Sequence, residues 1–585
     1  MKRFTMIALA VMSCVLLVPR TTLAAGDTLV VYATQGDGIL DKIVMADTAA
    51  DGTLAHKVYK LVSTDTTYIY DGPITINNSV TFIGVPGANG KLPTIQPDVL
   101  SDQTIPANLF IVSKKDTKVT FKNLYLLGLS IVPEGGVSSA NTAGIAIQAS
   151  ADNIKVYADN LVFDYWLAFG FGYNGNWDSF FITNCIFRNF VHPNQWYVGE
   201  VLRNSVGSVY TDSIVFRNNT MTAINGYAAA PVTKYYTRYF EFTHNTVAYT
   251  FKNPFFIFNV TNAKINNNIF YNNYVGGVSF TENPWWDNLF SPDETYGVLA
   301  LQNLSLDNAK MFQPNDSTNA KIDSIAEARR TVEVKNNICY WSQSVTTLWQ
   351  NWNDTATWSA AGMKILTPSW MNDPTKAMFA DKAHWPGLSE SGNITNQDPG
   401  YGSVITGVMN QSATTGIGLA KWFAQARSGS LANDVWGAAL TTVGSAANWV
   451  PAWPVSEAAS LKYSNNLTAP DGKPYGDPRW FNAGYGPTGV QAANQIVPEK
   501  FALSQNYPNP FNPSTTFQYT LTTTGLVKFT VYNILGQAVK TVVNKIQSAG
   551  AYEVRVDMSN QTSGIYFGVL EQGTSRQVQK MVLMK

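Results

Sequence analysis

The chain repeats one short phrase, and this repeat limits what it can fold into. From Val119 onward, alternating apolar residues are followed by an asparagine and a second apolar pair, with the asparagines at Asn123, Asn160, Asn184, Asn219, Asn245, Asn268 and Asn337. Successive asparagines are 37, 24, 35, 26, 23 and 69 residues apart. Repeats of about 20 to 50 residues are typical of solenoids, and short alternating strands favour stacked β-coils. We therefore predict an all-β chain whose main body is a parallel β-helix.

The repeated asparagines have a structural explanation. Asparagine tolerates the left-handed backbone conformation of tight turns, and its amide can bond to the amide of the next coil. We interpret these residues as a turn-forming ladder and do not take them as active-site candidates.

The composition restricts the classes of partner. Charged residues make up only 14% of the chain, and 40 basic residues balance 40 acidic ones. A chain without net charge has no overall electrostatic field to attract a polyanion, so nucleic acid is not an expected partner. The composition does not decide whether basic residues cluster in a local patch.

The N-terminus has the layout of a secretory signal. Met1-Lys2-Arg3 precedes an apolar run over 6–18 and a small-residue site at 22–25, so we predict a signal peptide over 1–25 that directs export to the periplasm. Cys14 raises the alternative of a lipoprotein, but the apolar run continues past it. No later run approaches about 18 consecutive apolar residues, so no transmembrane segment is expected.

Two cysteines, Cys185 and Cys339, follow the signal region. If the repeats are coils about 4.8 Å apart, these residues lie at least four coils, or about 19 Å, from each other. A disulfide needs Cα atoms within about 7 Å. We therefore predict two buried, reduced cysteines.

The first part of the body resembles a known superfamily. The segment TYIYDGPITINNSVTFIGVPGANGKLPTIQP over 67–97 is similar to the opening coils of the pectate-lyase-like superfamily, which implies a right-handed parallel β-helix. The body is expected over 26–487, with an insertion at about 276–329, while 342–485 cannot be assigned to coils. Its last part, 460–481, resembles the ends of secreted Bacteroidota-type β-helix proteins.

A different pattern begins after a predicted linker over 488–500. Six or seven short alternating strands between Gly, Ser and Asn turns predict a small immunoglobulin-like β-sandwich over 501–585. Four blocks, NYPNPFNPSTTF from Asn506, VYNILGQAV from Val531, SGIYFGVL from Ser563 and KMVLMK from Lys580, resemble the type A sorting domain of type IX secretion. The resemblance implies recognition by that export machinery, a secreted or outer-membrane surface location, and a source among the Bacteroidota and Chlorobi group. The alternative is a module retained for adhesion.

Charged residues at outward positions of the repeats are the candidates for chemistry. We expect Arg217, Glu241 and Lys264 on consecutive coils, about 5 Å apart. At this spacing the carboxylate and the two cations are able to bind one acidic sugar. The other interpretation is a surface ion-pair ladder. A polysaccharide lyase would need a base and Ca²⁺ or another cation, and a glycoside hydrolase would need paired carboxylates. The sequence matches none of the motifs of these enzymes, so Ca²⁺ is expected only under the lyase alternative, and no other cofactor and no metal site is predicted.

Aromatic and histidine residues complete the candidates. His192 and His244 have no second ligand at metal-binding spacing and are interpreted as surface or turn residues. Exposed tryptophans can stack on sugars, whereas most tryptophans are used in core and coil-end packing. The candidates for carbohydrate binding are Trp177, Trp196, Trp285 and Trp286.

The sequence therefore predicts an exported β-helix protein that binds extracellular polysaccharide or acts as a surface scaffold. The first alternative is a polysaccharide lyase or glycoside hydrolase that uses Arg217, Glu241 and Lys264. The second alternative is an adhesin that recognises protein.

Overall fold

A computed structural model describes residues 27–33, 39–130 except 65 and 88–89, 142–190, 199–204, 209–229, 235–273 except 251–252, 256 and 258, 297–304 except 302, 326–343, 346, 369–401, 467–480, and 501–584 except 504, 507–508, 522–524, 548–549 and 574. The chain forms two compact units, divided between Gly489 and Val490. The predicted signal peptide, Cys14, His192 and most of the predicted insertion and linker lie outside the described residues.

The first unit is a parallel β-helix built from three sheets. Sheet 1 is the longest, and each strand pairs in parallel with the equivalent strand of the next coil. Its strands are β1 (Thr28–Tyr32), β2 (Val58–Val62), β5 (Val80–Val85), β8 (Lys118–Lys122), β11 (Lys155–Asp159), β14 (Asp178–Thr183), β17 (Thr211–Arg217), β19 (Thr237–Thr243), β21 (Asn262–Asn266), β23 (Thr331–Lys335) and β25 (Leu388–Ser391). This confirms the predicted solenoid.

Two shorter sheets close the coils. Sheet 2 follows sheet 1 after a sharp corner and consists of β3 (Tyr68–Tyr70), β6 (Thr94–Pro97), β9 (Tyr125–Leu127), β12 (Val162–Asp164), β15 (Ile186–Phe190), β18 (Thr220–Ile224), β20 (Thr246–Thr250), β22 (Ile269–Tyr271), β24 (Ile338–Tyr340) and β26 (Ile394–Thr395). Sheet 3 consists of β4 (Ile74–Ile76), β7 (Asn108–Val112), β10 (Ile145–Ala149), β13 (Phe169–Tyr173) and β16 (Glu200–Asn204). Beyond β16, single bridges such as Leu299–Met371 continue the third side.

The corner between sheets 1 and 2 divides the asparagine repeat into two ladders. The corner residue has a positive φ of 53–61° in seven coils, and it is Asn123, Asn160, Asn184, Asn218, His244, Asn267 or Asn336. The next residue is buried, and Asn219, Asn245, Asn268 and Asn337 form a chain of amide hydrogen bonds that ends at Asn393. In the earlier coils Asn160 has both predicted roles, since it forms the turn and its amide donates to Asn123 Oδ1 at 2.9 Å. From Asn218 and Asn219 onward, the turn and the buried ladder belong to two neighbouring residues.

Apolar side chains from all three sheets fill the interior. Phenylalanines stack from coil to coil, as in the pair Phe163–Phe187, whose ring centroids are 4.7 Å apart. Cys185 and Cys339 are buried in this core and carry free thiols, which confirms their predicted state. Burial raises the pKa of both thiols.

Helices also accompany the coils. Helix α1 (Leu40–Ala46) packs Leu40 and Val44 into the core beside β3 and β4. Helix α2 (Asp373–Ala380) begins at the N-cap Asn372, whose side chain accepts a hydrogen bond from the Thr375 amide, and it packs against β25. None of the helices in the described part of the chain is long and apolar enough to cross a bilayer.

The second unit is a small antiparallel sandwich. One sheet contains β27 (Ala502–Leu503), β28 (Ser514–Leu521) and β31 (Gly550–Asp557), and the other contains β29 (Gly525–Asn533), β30 (Ala538–Gln547), β32 (Gly564–Gln572) and β33 (Ser575–Leu583). Phe517 and Phe529 meet edge-to-face in the shared core at 5.0 Å. A Cβ at Gly568 would lie 2.8 Å from the Phe517 ring, so a larger residue there would displace this ring.

Candidate functional site

The outer face of sheet 2 is covered. Most of its outward residues in the described strands, among them Tyr125, Ile186 and Ile269, are buried. Residues 467–480, which we call the strap, lie against this side of the unit. Thr220 Oγ1 donates to Asp477 Oδ2 at 2.6 Å, and the Trp480 indole donates to the same hydroxyl.

The strap also binds the corner ladder. The Arg479 guanidinium donates to the carbonyl oxygens of Asn184 and Cys185 at 2.8 and 2.9 Å. His244 is buried at the corner, with Nδ1 2.8 Å from the Pro474 carbonyl oxygen and Nε2 2.8 Å from Asp471 Oδ2. The histidine therefore fastens the strap to the coils.

The outer face of sheet 1 presents accessible side chains. Three outward positions of each strand form rows that run along the stack of coils, with one residue per coil. Lys155, Asn262 and Lys264 are exposed, and Tyr157 and Arg217 are half-buried. Sheet 1 therefore carries the candidate binding face.

The predicted charged residues lie on consecutive strands of this face, β17, β19 and β21. Arg217 Nε and Nη2 donate to the two Glu241 oxygens at 2.6 and 2.7 Å, and the Tyr239 and Thr243 hydroxyls donate to the same carboxylate. Burial raises the pKa of Glu241, but the hydrogen bonds and charge of Arg217 outweigh it, so this pKa lies below its usual value. Glu241 is therefore a weak base.

Lys264 continues the row between two carboxylates. Its register partners are Glu241 on one side and Glu333 on the other. Lys335 Nζ donates to Glu333 Oε2 at 2.7 Å. Burial raises the pKa of Glu333, whereas hydrogen bonds from Lys335 and Asn266 lower it more, so that this pKa also lies below its usual value.

These carboxylates are poorly suited to acid catalysis. Glycoside hydrolysis needs one carboxylic acid that keeps its proton near neutral pH, which requires a raised pKa. Glu241 and Glu333 have lowered pKa values. In the described part of the chain, no group of three or more His, Cys, Asp or Glu side chains is placed to hold a metal ion. The arrangement presents fixed charges to a ligand and offers no evident proton donor.

Aromatic rings on this face stack on each other. The Tyr157 and Phe181 centroids are 4.8 Å apart, and Lys118 Nζ lies 4.8 Å from the Tyr157 centroid. Since Lys118 and Phe181 belong to the coils before and after Tyr157, its two ring faces are occupied and its edge is left for a ligand. Burial raises the pKa of Tyr157, so its hydroxyl is protonated at neutral pH and is able to donate a hydrogen bond.

Trp177 belongs to a second column beside sheet 1. Its ring stacks on Tyr210 at 5.1 Å, and Tyr210 stacks on Tyr235 at 4.5 Å. One face of Trp177 is therefore used within the protein, which reduces the ring area open to a sugar. The other predicted sugar-stacking residues, Trp196, Trp285 and Trp286, lie outside the described residues.

The candidates predicted from the sequence did not include Tyr157, Phe181, Lys118 or Lys155. Their signal was present in the alternation of the phrases KVTFKN and KVYADN, which places Lys118 and Lys155 at equivalent outward positions. The charged candidates predicted from the sequence, Arg217, Glu241 and Lys264, all belong to later coils.

One buried carboxyl lies at the start of a sheet 1 strand. Asp178 is fully buried, and its Oδ1 accepts the Ile154 amide at 2.8 Å. Its Oδ2 has no hydrogen-bond partner among the described residues. Burial raises the pKa of Asp178 to about 8. With no exposed surface, Asp178 stabilises a turn and is not accessible to a ligand.

Comparison with known proteins identifies the C-terminal unit. No curated protein and no solved structure matches the chain. Residues 505–584 match the family model described as the secretion system C-terminal sorting domain. This confirms the predicted sorting domain, whereas no family match covers the β-helix body. The chain therefore carries a C-terminal sorting domain of type IX secretion, which supports a secreted or cell-surface protein exported by that machinery.

Proposed function

We propose that this exported β-helix protein binds extracellular polysaccharide along the outer face of sheet 1. The observation that carries the proposal is the face itself, which presents rows of exposed and half-buried polar side chains with one residue per coil. An extended polymer of similar units suits a surface that repeats about every 4.8 Å.

The bonding groups of the face support a binding role. The edge of Tyr157 and the side chain of Asn262 are uncharged hydrogen-bonding groups of the kind that sugar hydroxyls use. The ion pair of Arg217 with Glu241 spans neighbouring coils and fixes both side chains. Side chains that are already fixed in the free protein lose little conformational entropy when the ligand binds.

The sorting domain supports the location of the ligand. A protein delivered to the cell surface or released meets polysaccharides of the envelope and of the surroundings. The lyase and hydrolase alternatives receive less support from the lowered pKa values of Glu241 and Glu333.

The test is affinity electrophoresis of the purified chain in gels that contain single neutral or acidic polysaccharides. The double variant Tyr157→Phe, Asn262→Ala removes two uncharged bonding groups. We expect it to weaken binding roughly 5- to 150-fold, since each hydrogen bond contributes about 0.5–1.5 kcal/mol. Ser101→Ala, in an exposed turn away from sheet 1, is the control.

Parallel samples are assayed for reducing ends and for absorbance at 235 nm, with and without Ca²⁺. New reducing ends or unsaturated products would replace binding by catalysis as the function. Absence of retardation in every gel would overturn the proposal and leave a scaffold or a protein-binding adhesin.

A further inference from the structure

The charge on sheet 1 differs from that of the whole chain. The chain has equal numbers of acidic and basic residues. On the three outward rows from β8 to β23, six cations face three carboxylates; the cations are Lys118, Lys122, Lys155, Arg217, Lys264 and Lys335, and the carboxylates are Asp159, Glu241 and Glu333. The face therefore has an excess of three positive charges.

Each of the three carboxylates already has a cation. Lys122 Nζ is 3.1 Å from Asp159, and the pairs of Glu241 with Arg217 and of Glu333 with Lys335 are 2.6 and 2.7 Å apart. These pairs account for half of the six cations.

The excess is carried by the remaining three lysines. Lys118, Lys155 and Lys264 form no ion pair within the described part of the chain, and Lys118 rests on the Tyr157 ring. Three nearby carboxylates lie outside these rows. Asp116 and Asp152 are in turns, where they bind Asn153 and Asn176 of the adjacent coils, and Asp212 in β17 is paired with Arg238.

The spacing of these lysines suits a long ligand. Lys118 and Lys155 are register partners on adjacent coils, about 5 Å apart along the stack. Lys264 lies four coils beyond Lys155, about 19 Å further along. A polymer that follows the stack of coils from Lys155 to Lys264 passes Phe181 and Arg217.

We propose that the ligand of sheet 1 is an anionic polysaccharide, a chain that bears carboxylate or sulfate groups. This inference rests on the proposed function and specifies its ligand class. Exposed ammonium groups attract such groups through forces that salt screens, so binding weakens as ionic strength rises. Polysaccharide is favoured over nucleic acid because the sorting domain directs the protein out of the cell and because few cations are available for densely spaced phosphates.

The test uses the purified chain with its sorting domain retained. The probes are alginate, polygalacturonate and dextran sulfate as anionic polymers, dextran and xylan as neutral polymers, and double-stranded DNA. We expect tighter binding to the anionic polysaccharides than to the neutral ones, with an affinity that falls between 50 and about 300 mM NaCl, since screening increases over this range.

The triple variant Lys118→Gln, Lys155→Gln, Lys264→Gln removes the excess charge. We expect it to weaken binding to anionic polysaccharides about tenfold, since one exposed ion pair changes affinity roughly 1.5- to 5-fold. The triple variant Lys376→Gln, Lys473→Gln, Lys528→Gln removes as many charges from exposed positions that do not belong to these rows, and it should bind like the wild type. Equal unfolding midpoints of all three proteins show that the substitutions leave the fold intact.

The outcomes separate the two proposals. Binding to neutral polymers alone, or unchanged binding of the first triple variant, would overturn the anionic class and leave the proposed function standing. Tighter binding to DNA than to any polysaccharide would replace the ligand by a nucleic acid. Absence of polysaccharide binding would overturn both proposals.

Discussion

Replacing Asn245 by alanine removes the centre of the buried amide ladder. Its Oδ1 accepts hydrogen bonds from the backbone amide and the side-chain amide of Asn219, both at 2.9 Å. Its Nδ2 donates to the Phe216 and Thr243 carbonyl oxygens and to Asn268 Oδ1. Alanine makes none of these bonds, and water has no access because Asn245 is fully buried.

The expected loss of stability follows from the groups left without partners. The backbone amide of Asn219 loses its acceptor, while the side-chain amide keeps the Ile182 carbonyl. A buried unpaired group costs about 1–3 kcal/mol, and the other lost hydrogen bonds add about 1 kcal/mol. We therefore expect Asn245→Ala to lower the free energy of unfolding by about 2–4 kcal/mol.

The assay is urea unfolding followed by tryptophan fluorescence. Asn393→Ala, at the half-buried end of the ladder, should cost about 1 kcal/mol or less because water can reach the groups it exposes. Asn262→Ala, on the exposed face of the neighbouring coil, should change stability by less than about 0.5 kcal/mol. Equal destabilisation by Asn245→Ala and Asn262→Ala would refute the reasoning.

Three further predictions concern charged residues. The pKa of Asp178 is raised from 3.8 to about 8, so its contribution to stability is complete below about pH 4 and is lost as the pH rises to 8. Urea titrations of the wild type at pH 5 and 9 should therefore differ by about 4 kcal/mol, and Asp178→Asn should abolish this decline. The pKa of Glu241 is lowered, so its contribution to the stability of the fold is present above about pH 4.5 and is lost in acid. Glu241→Gln should therefore be about 2 kcal/mol less stable than the wild type at pH 7, and urea titrations at low pH should show that this difference disappears. Arg479→Ala leaves the buried Asp477 without its cation, so this variant should destabilise the first unit by about 3 kcal/mol. It should also expose residues 467–480 to limited proteolysis, and an unchanged cleavage pattern would contradict this prediction.

Local pattern was sufficient to predict the coil register. The phrases around Glu241 and Lys264 share one alternation of inward and outward residues, and the structure pairs these residues on adjacent strands. The same pattern does not distinguish Asn218 from Asn219, because both are asparagines and only the backbone conformation assigns the corner to one and the ladder to the other.

Contacts between distant parts of the chain were not predictable. A hydrogen bond joins Thr220 to Asp477, which lies 257 residues further along the chain. A local repeat in the sequence cannot predict a contact over this distance. His244 was interpreted as a surface or turn residue. It is the turn residue of its coil, but it is buried where the strap meets the corner. The excess positive charge on sheet 1 is also hidden in a chain of zero net charge, because it depends on which side chains the coils turn outward.

Lysine footprinting tests the central claim most directly, because it reports which face a polysaccharide covers. The chain is acetylated under limiting reagent with and without alginate, and modification of each lysine is measured by mass spectrometry. If sheet 1 binds the polymer, modification of Lys118, Lys155 and Lys264 should fall severalfold, while that of the exposed Lys376 and Lys528 should not change. Equal protection of all five lysines, or protection of Lys376 and Lys528 alone, would contradict the account.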